Sequence, residues 1–259
     1  LVEALLEIQM LFPLAGNNQE KIVRGNGNGQ LALVQQEQQN GVAHGIGHGV
    51  QQTGIPVGKG QVDGLSVMVA ATHLEPACRY FVRYAKQYSG PGQSTLLGAE
   101  ARVSAPMAAL ANGALSHAMD FEDSHDTAFV HSNAVSIPAL LAVAEEAGGI
   151  SGKEFLTALV LASEVTCRLS AAQEEDLLQY GWYMPPVHGS LGTTFALCRM
   201  LRLSREQTLD ALALDMNSYT CSGESVNSRA SVIRLVRDGL AAQAAVEASL
   251  LAREGVQAR

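Results

Sequence analysis

From residue 104 to residue 253, apolar residues recur at helical spacing, and capping residues punctuate the gaps between runs. Ser104 with Pro106 opens an Ala-rich run carrying Leu110, Leu115 and Met119. Ser136 and Pro138 open IPALLAVAEEA, and Gly148 closes it. Ser151 with Glu154 makes a capping-box pattern before FLTALVLASEVTCRL, and Ser204 with Gln207 repeats it before TLDALALDM. Gly192 to Leu203 forms another apolar helix, and Leu235 to Arg253 forms a last long one that Gly255 stops. The links are short and no alternating strand run competes. The pattern predicts an all-α body of the bundle type.

The pattern fails before residue 70. Residues 17–64 are rich in Gly, Gln and Asn, with little helical or strand periodicity. Such a segment buries too little apolar surface to offset its ordering entropy, so it reads as irregular. GNGNG lacks the spacing and the βαβ context of a dinucleotide fingerprint. His44 and His48 in AHGIGHG offer at most a stray metal contact. The division expected is residues 1–70, irregular, and residues 71–259, helical.

Composition narrows the class. The 259 residues are 47% hydrophobic but only 5% aromatic, so the core is mostly Ala, Leu and Val, which suits close-packed helices. A net charge of −8 without a basic run argues against nucleic-acid binding. Cys78, Cys167, Cys198 and Cys221 are scattered with no CxxC, as reduced thiols are. No signal peptide or membrane-length apolar run is present. A cytoplasmic setting away from membranes is the expectation.

The chemistry gathers in AALANGALSHAMDFEDSHDTAFVH, residues 108–131. A buried small-residue helix ends there in His117, Asp120, Glu122, Asp123, His125, Asp126 and His131. Polar groups at the end of a buried helix are costly unless paired or used. Two plainer readings stand beside a site: a solvated acidic loop, and a core position for His117 with one nitrogen satisfied. His125 and His131 with Asp120 and Asp123 are metal-ligand types, but their spacing matches no closed zinc pattern. No metal and no cofactor are expected.

The runs ALANGALSHAMDFEDSHD and HSNAVSIPALLAVAEEAGGISGKEFLTALVLASEV resemble the MmgE/PrpD family. The resemblance continues through GWYMPPVHGSLGTTFALCRMLRLSREQTLDALAL and IRLVRDGLAAQAAVEASLLAREGV, covering roughly residues 75–256. Its most specific part is HxxDFxD, from His117 to Asp123, with His131 and Pro138 six intervening residues apart. The resemblance implies an all-helical core domain joined to a smaller α/β lid, with the active site between them. It implies metal-free lyase chemistry on a small polycarboxylate, most readily a 2-methylcitrate dehydratase-like loss of water. A cis-aconitate decarboxylase-like or epimerase activity is the alternative on the same core. A helical fragment retaining only an interaction surface is the non-enzymatic alternative.

Carried over by position, Asp120 and His131 are the implied catalytic pair. Ser124 stands where a threonine is common and keeps the hydroxyl. Tyr183 replaces a frequent histidine, with His188 five residues on. Arg234 replaces a lysine, and with Arg237 at i+3 it could clamp a carboxylate. Ser124, Tyr183, His188, Arg234 and Arg237 are therefore the implied substrate-binding set. The resemblance also implies a homodimer. The family's chain runs on past Gly255 into the lid, so the lid is expected to be missing here.

Overall fold

A computed structural model describes residues 57–125, 128–228 and 231–258, with side chains from residue 63 onward. The GNGNG run, His44, His48 and Asp126 lie outside the described residues. Helices α1 (Val57–Leu74) and α2 (Cys78–Tyr88) lead into a small hairpin of β1 (Ser94–Leu96) and β2 (Ala101–Val103). Then come α3 (Ala105–His117), α4 (Ser132–Ala147), α5 (Gly152–Ala171), a 3-10 turn (Leu177–Tyr180) and α6 (Pro185–Met200). Helices α7 (Arg205–Ser218), α8 (Glu224–Asn227) and α9 (Ile233–Arg253) complete the body. The all-helical expectation holds, with one antiparallel hairpin that pairs Ser94 with Val103 and Leu96 with Ala101.

Helix α1 runs through the boundary expected near residue 70, and residues 57–64 are helical. Long-range packing accounts for this. Met68 and Ala71 are fully buried in the main core, against α3 and α4. Gly64 sits so close to Ile137 that a Cβ there would lie 2.7 Å from its Cδ1. Tertiary contact overrides the low local propensity of the segment.

At the centre lies α3, apolar all round and buried at nearly every position. Its single amide, Asn112, is satisfied by the hairpin: Oδ1 accepts from Leu97 N–H at 3.0 Å and Nδ2 donates to the Thr95 carbonyl at 2.9 Å. The broadest helix pairing is α3 on α9, made possible by facing glycines. A Cβ on Gly239 would lie 2.2 Å from the Leu110 carbonyl oxygen, and one on Gly113 would lie 2.7 Å from Gly239 Cα. The backbones therefore touch, and the start of α9 is pressed against the end of α3.

Two helix starts differ from the sequence expectation. Helix α4 begins at Ser132, and Pro138 lies inside it. Proline cannot donate to the Ala134 carbonyl; Ser116 Oγ on α3 does so instead, at 2.6 Å. Helix α6 begins at Pro185, a favoured first-turn proline, and Gly192 lies mid-helix. A Cβ on Gly192 would lie 2.1 Å from Thr166 Oγ1 on α5, so this glycine is a crossing point rather than a start. The two capping boxes, Ser151–Glu154 and Ser204–Gln207, form as expected. Ser104 stands at the N-cap of α3 without capping through its side chain; Glu146 of α4 accepts from Ala105 N–H at 2.8 Å.

Candidate functional site

The glycine contact of α3 with α9 sets two helix ends side by side. His117 is the last residue of α3, and Arg234, Arg237 and Asp238 lie in the first turns of α9. His117 is buried and Arg237 is only 3% exposed. Arg237 Nη2 donates to His117 Nε2 at 2.8 Å and to the Tyr183 hydroxyl at 3.3 Å, and the guanidinium lies 4.4 Å from the Tyr183 ring centre. Its Nε reaches Asp238 at 3.3 Å. Its Nη1 is buried and has no hydrogen-bond partner among the described residues.

Arginine can only donate, so His117 Nε2 accepts and the ring proton sits on Nδ1, in direct contact with Glu122 Oε1. Burial depresses the proton affinity of this imidazole, but Glu122 and Asp238 more than offset that and raise it above its ordinary value. A second proton, on Nε2, would displace Arg237 and would find Asp120 Oδ1 at 3.7 Å and Asp238 Oδ2 at 3.8 Å. The ring is thus neutral as arranged and ready to charge when Arg237 moves.

Asp120 follows α3 with a left-handed φ of 54°, which aspartate tolerates better than most residues. This turn brings its carboxylate within 2.8 Å of Arg234 Nη2. Partial burial opposes its charge, and the Arg234 hydrogen bond with the neighbouring cations wins, holding the carboxyl below its usual range. Asp123 is turned the other way. It accepts from Ser132 N–H at 3.1 Å, Ser132 Oγ at 2.7 Å and Asn133 N–H at 2.9 Å, and so caps α4. Burial still leaves its carboxyl above the ordinary value.

His131 is the residue just before α4. Its Nδ1 lies 3.0 Å from the Asp123 carbonyl oxygen, which can only accept. The neutral ring therefore carries its proton on Nδ1 and its lone pair on Nε2. Its ring centre is 5.5 Å from that of His117, and Nδ1 is 3.8 Å from Glu122 Oε1. His125 is used within the loop: its Nδ1 accepts from Ala128 N–H at 2.8 Å.

His117, Asp120 and Glu122 offer ligand atoms within 4.8 Å of one another, the spacing a metal ion needs. Here Arg237 occupies the Nε2 lone pair and Arg234 occupies Asp120 Oδ1. The guanidinium groups of Arg234 and Arg237 thus take up two of these three ligand groups.

Residues 59–259 match the family model for the MmgE/PrpD N-terminal domain. The chain belongs to the MmgE/PrpD family. It is 30% identical over 201 residues to the cis-aconitate decarboxylase-like protein oryM of Aspergillus oryzae, which covers 75% of this chain and 41% of that protein. It is 32% identical over 180 residues to the cis-aconitate decarboxylase of Homo sapiens, covering 68% of this chain and 37% of that one. For the Mus musculus cis-aconitate decarboxylase the figures are 31% over 201 residues, 76% and 40%. The chain thus spans about two-fifths of the length of these relatives.

As a member of this family, the chain brings Asp120, His131, Tyr183, Arg234 and Arg237 into one neighbourhood. The two arginines do not form an open clamp: Arg234 is engaged by Asp120 and Arg237 by His117, Tyr183 and Asp238. Ser124 is exposed on the same loop. His188 faces a different cleft, which Tyr183 also borders. His117, Glu122 and Asp238 belong to the cluster although the sequence singled out none of them for a role in the site. The HxxDFxD spacing was the available signal for His117, because it puts a histidine at the end of a buried helix three residues before the motif aspartate; for Glu122 the only signal was its place in the acidic run. Asp238 had no such signal.

Proposed function

We propose that this chain forms the helical part of a lyase site for a small polycarboxylate, with Asp120 and His131 as the catalytic groups. The observation that carries the reading is Arg237 Nη1, a buried charged donor left without a partner among the described residues. An unpaired buried donor of this kind costs several kcal/mol, about 1–3 for a neutral group and more for a charged one. A ligand carboxylate would satisfy it and would lie against His117 and the Tyr183 hydroxyl. Arg234, released from Asp120, holds a second carboxylate, and the Ser124 hydroxyl assists binding at the edge. His131 Nε2, which keeps a lone pair while the other ring nitrogen is tied to a carbonyl, carries the proton.

Loss of carbon dioxide from an unsaturated tricarboxylate leaves an electron pair that must take up a proton, and loss of water begins with removal of one. Both need a proton carrier beside fixed cations, and the cations make a metal unnecessary. The relatives are named cis-aconitate decarboxylases, which favours carbon dioxide loss. Dehydration of a 2-methylcitrate-type substrate rests on family membership alone. The four cysteines are free and buried, in keeping with a reducing, cytoplasmic setting, and no helix of the described residues is long and apolar enough to cross a membrane.

Proton NMR of the protein incubated with cis-aconitate or 2-methylcitrate tests the reaction. Cis-aconitate is expected to lose carbon dioxide, and His131→Ala to slow this by about 10²–10⁴-fold. Calorimetry with tricarballylate, an unreactive tricarboxylate, tests the binding half: Arg237→Gln is expected to weaken it at least tenfold. Unchanged turnover in His131→Ala removes that residue from the chemistry, and unchanged tricarballylate affinity in Arg237→Gln removes the reading.

A further inference from the structure

Beside Tyr183 lies a cleft of about 60 Å³, bordered by Phe129, Leu178, Trp182 and Tyr183. Ser170, Gln173, Asp176 and His188 also line it, and two of these leave a buried atom unpaired among the described residues. His188, in the first turn of α6, is 6% exposed, and its Nδ1 is buried with no partner among the described residues. Gln173, just after α5, donates through Nε2 to the Glu175 carbonyl at 2.7 Å. That bond fixes the amide orientation, and Oε1 is left buried and without a partner among the described residues. Both residues line one cleft, whose other walls are largely apolar and aromatic apart from Ser170 and Asp176.

We propose that this cleft is a second, uncharged subsite that takes a small neutral amide or alcohol group through His188 Nδ1 and Gln173 Oε1. The proposal is independent of the lyase reading, although Tyr183 belongs to both places. An apolar occupant would leave both atoms unpaired, at a cost for each. Among the described residues no Lys or Arg lines the cleft; burial holds His188 uncharged, down to a pKa of about 4, and Asp176 brings a carboxylate to it. A primary amide has two N–H donors and a carbonyl, so it can donate to Gln173 Oε1 and pair with His188 Nδ1 in either tautomer; a hydroxyl that donates to Gln173 Oε1 pairs with His188 when Nδ1 carries the proton. The volume suits a group of a few atoms, not a whole tricarboxylate.

Trp182 is the single tryptophan of the chain and borders the cleft, so its emission reports occupancy directly. Acetamide is the probe and acetate its charged isostere. Acetamide is expected to change Trp182 emission saturably at millimolar concentration and to shift the His188 ring nitrogens in 15N NMR, with acetate at least tenfold weaker. His188→Leu is expected to weaken acetamide about tenfold, the worth of one hydrogen bond. His188→Asn, which keeps a polar atom near the Nδ1 position, is expected to stay within about threefold. Gln173→Ala lies outside the helices and is expected to weaken acetamide similarly, so the proposal can be judged even if the core variant does not fold. No saturable response, equal binding of acetate, or unchanged affinity in both His188→Leu and Gln173→Ala overturns it and leaves a water-filled cleft.

Discussion

Two buried groups outside the cation cluster pull stability in opposite directions across the pH scale. Asp215 on α7 accepts from Ser190 Oγ at 2.6 Å through Oδ1, and the Thr194 hydroxyl also stabilises its charge. Burial raises its pKa to about 7. The folded chain therefore keeps a proton that the unfolded chain loses at lower pH, and stability falls as pH rises from about 4 to about 7. His188 runs the other way. Its folded pKa is about 4, so the unfolded chain takes the proton first and stability falls as pH drops from about 6.5 to about 4. The two effects nearly cancel where they overlap.

Asp215→Asn keeps the Ser190 contact and removes only the titration. Urea unfolding at a series of pH values is expected to show the variant gaining on the native chain from pH 4 to 7, by a few kcal/mol in all, and level above that. A constant difference across that range would mean that Asp215 is ionised in the fold. At this scale the sequence was informative about residue types and silent about partners. The crowd of acids and imidazoles after α3 announced itself, but Asp123 is a helix cap and His125 a loop staple. Only the surroundings separate those roles from that of Asp120, because the same carboxylate caps a helix or pairs with an arginine according to what faces it.

Among the elements, the decisive contact is that of α3 with α9. Gly239→Ala would force a Cβ against backbone atoms of α3, the Leu110 oxygen at 2.2 Å and the Ala114 nitrogen at 2.8 Å. Backbone cannot step aside as a side chain can, so the helices must separate. The expected cost is about 1–3 kcal/mol or more, read as a lower urea midpoint at unchanged slope. The 15N signals of His117 are expected to shift as well, because Arg237 moves with its helix. Gly152→Ala, at the open first position of α5 with nothing within 4 Å of the added Cβ, is expected to stabilise by about 0.4–1 kcal/mol. Equal effects at the two glycines would refute the crossing argument.

Helix identity and the two capping boxes were legible because caps are local: Ser151 and Glu154 satisfy each other within one turn. The starts of α4 and α6 were not. Asp123 caps α4 from outside it, and the carbonyl that Pro138 leaves unpaired is served from another helix. Gly192 looked like a boundary because a glycine needed for close approach is the same letter as one needed for a turn.

At the scale of the molecule, apolar side chains remain on the surface. Phe121 and Phe129 are each 71% exposed, Tyr180 and Trp182 are exposed as well, and so are Leu74 and Tyr88 on the first two helices. Exposed apolar surface favours association. Sedimentation equilibrium at tens of micromolar is expected to give twice the chain mass. A clean monomer at high micromolar concentration would set the homodimer aside.

By itself the sequence determined the helical class, most of the helix positions and the family, and it pointed to the run proposed for the chemistry. Periodicity, capping and motif spacing are properties of neighbouring residues, so they survive in one dimension. The tertiary structure alone decided that α1 begins by residue 57, that Arg237 is buried against His117, and that His188 serves a cleft of its own. Those outcomes depend on which backbones approach closely enough to touch. That distance is set by glycines more than a hundred residues apart on α3 and α9, and by the desolvation that follows when the helices close around a charge.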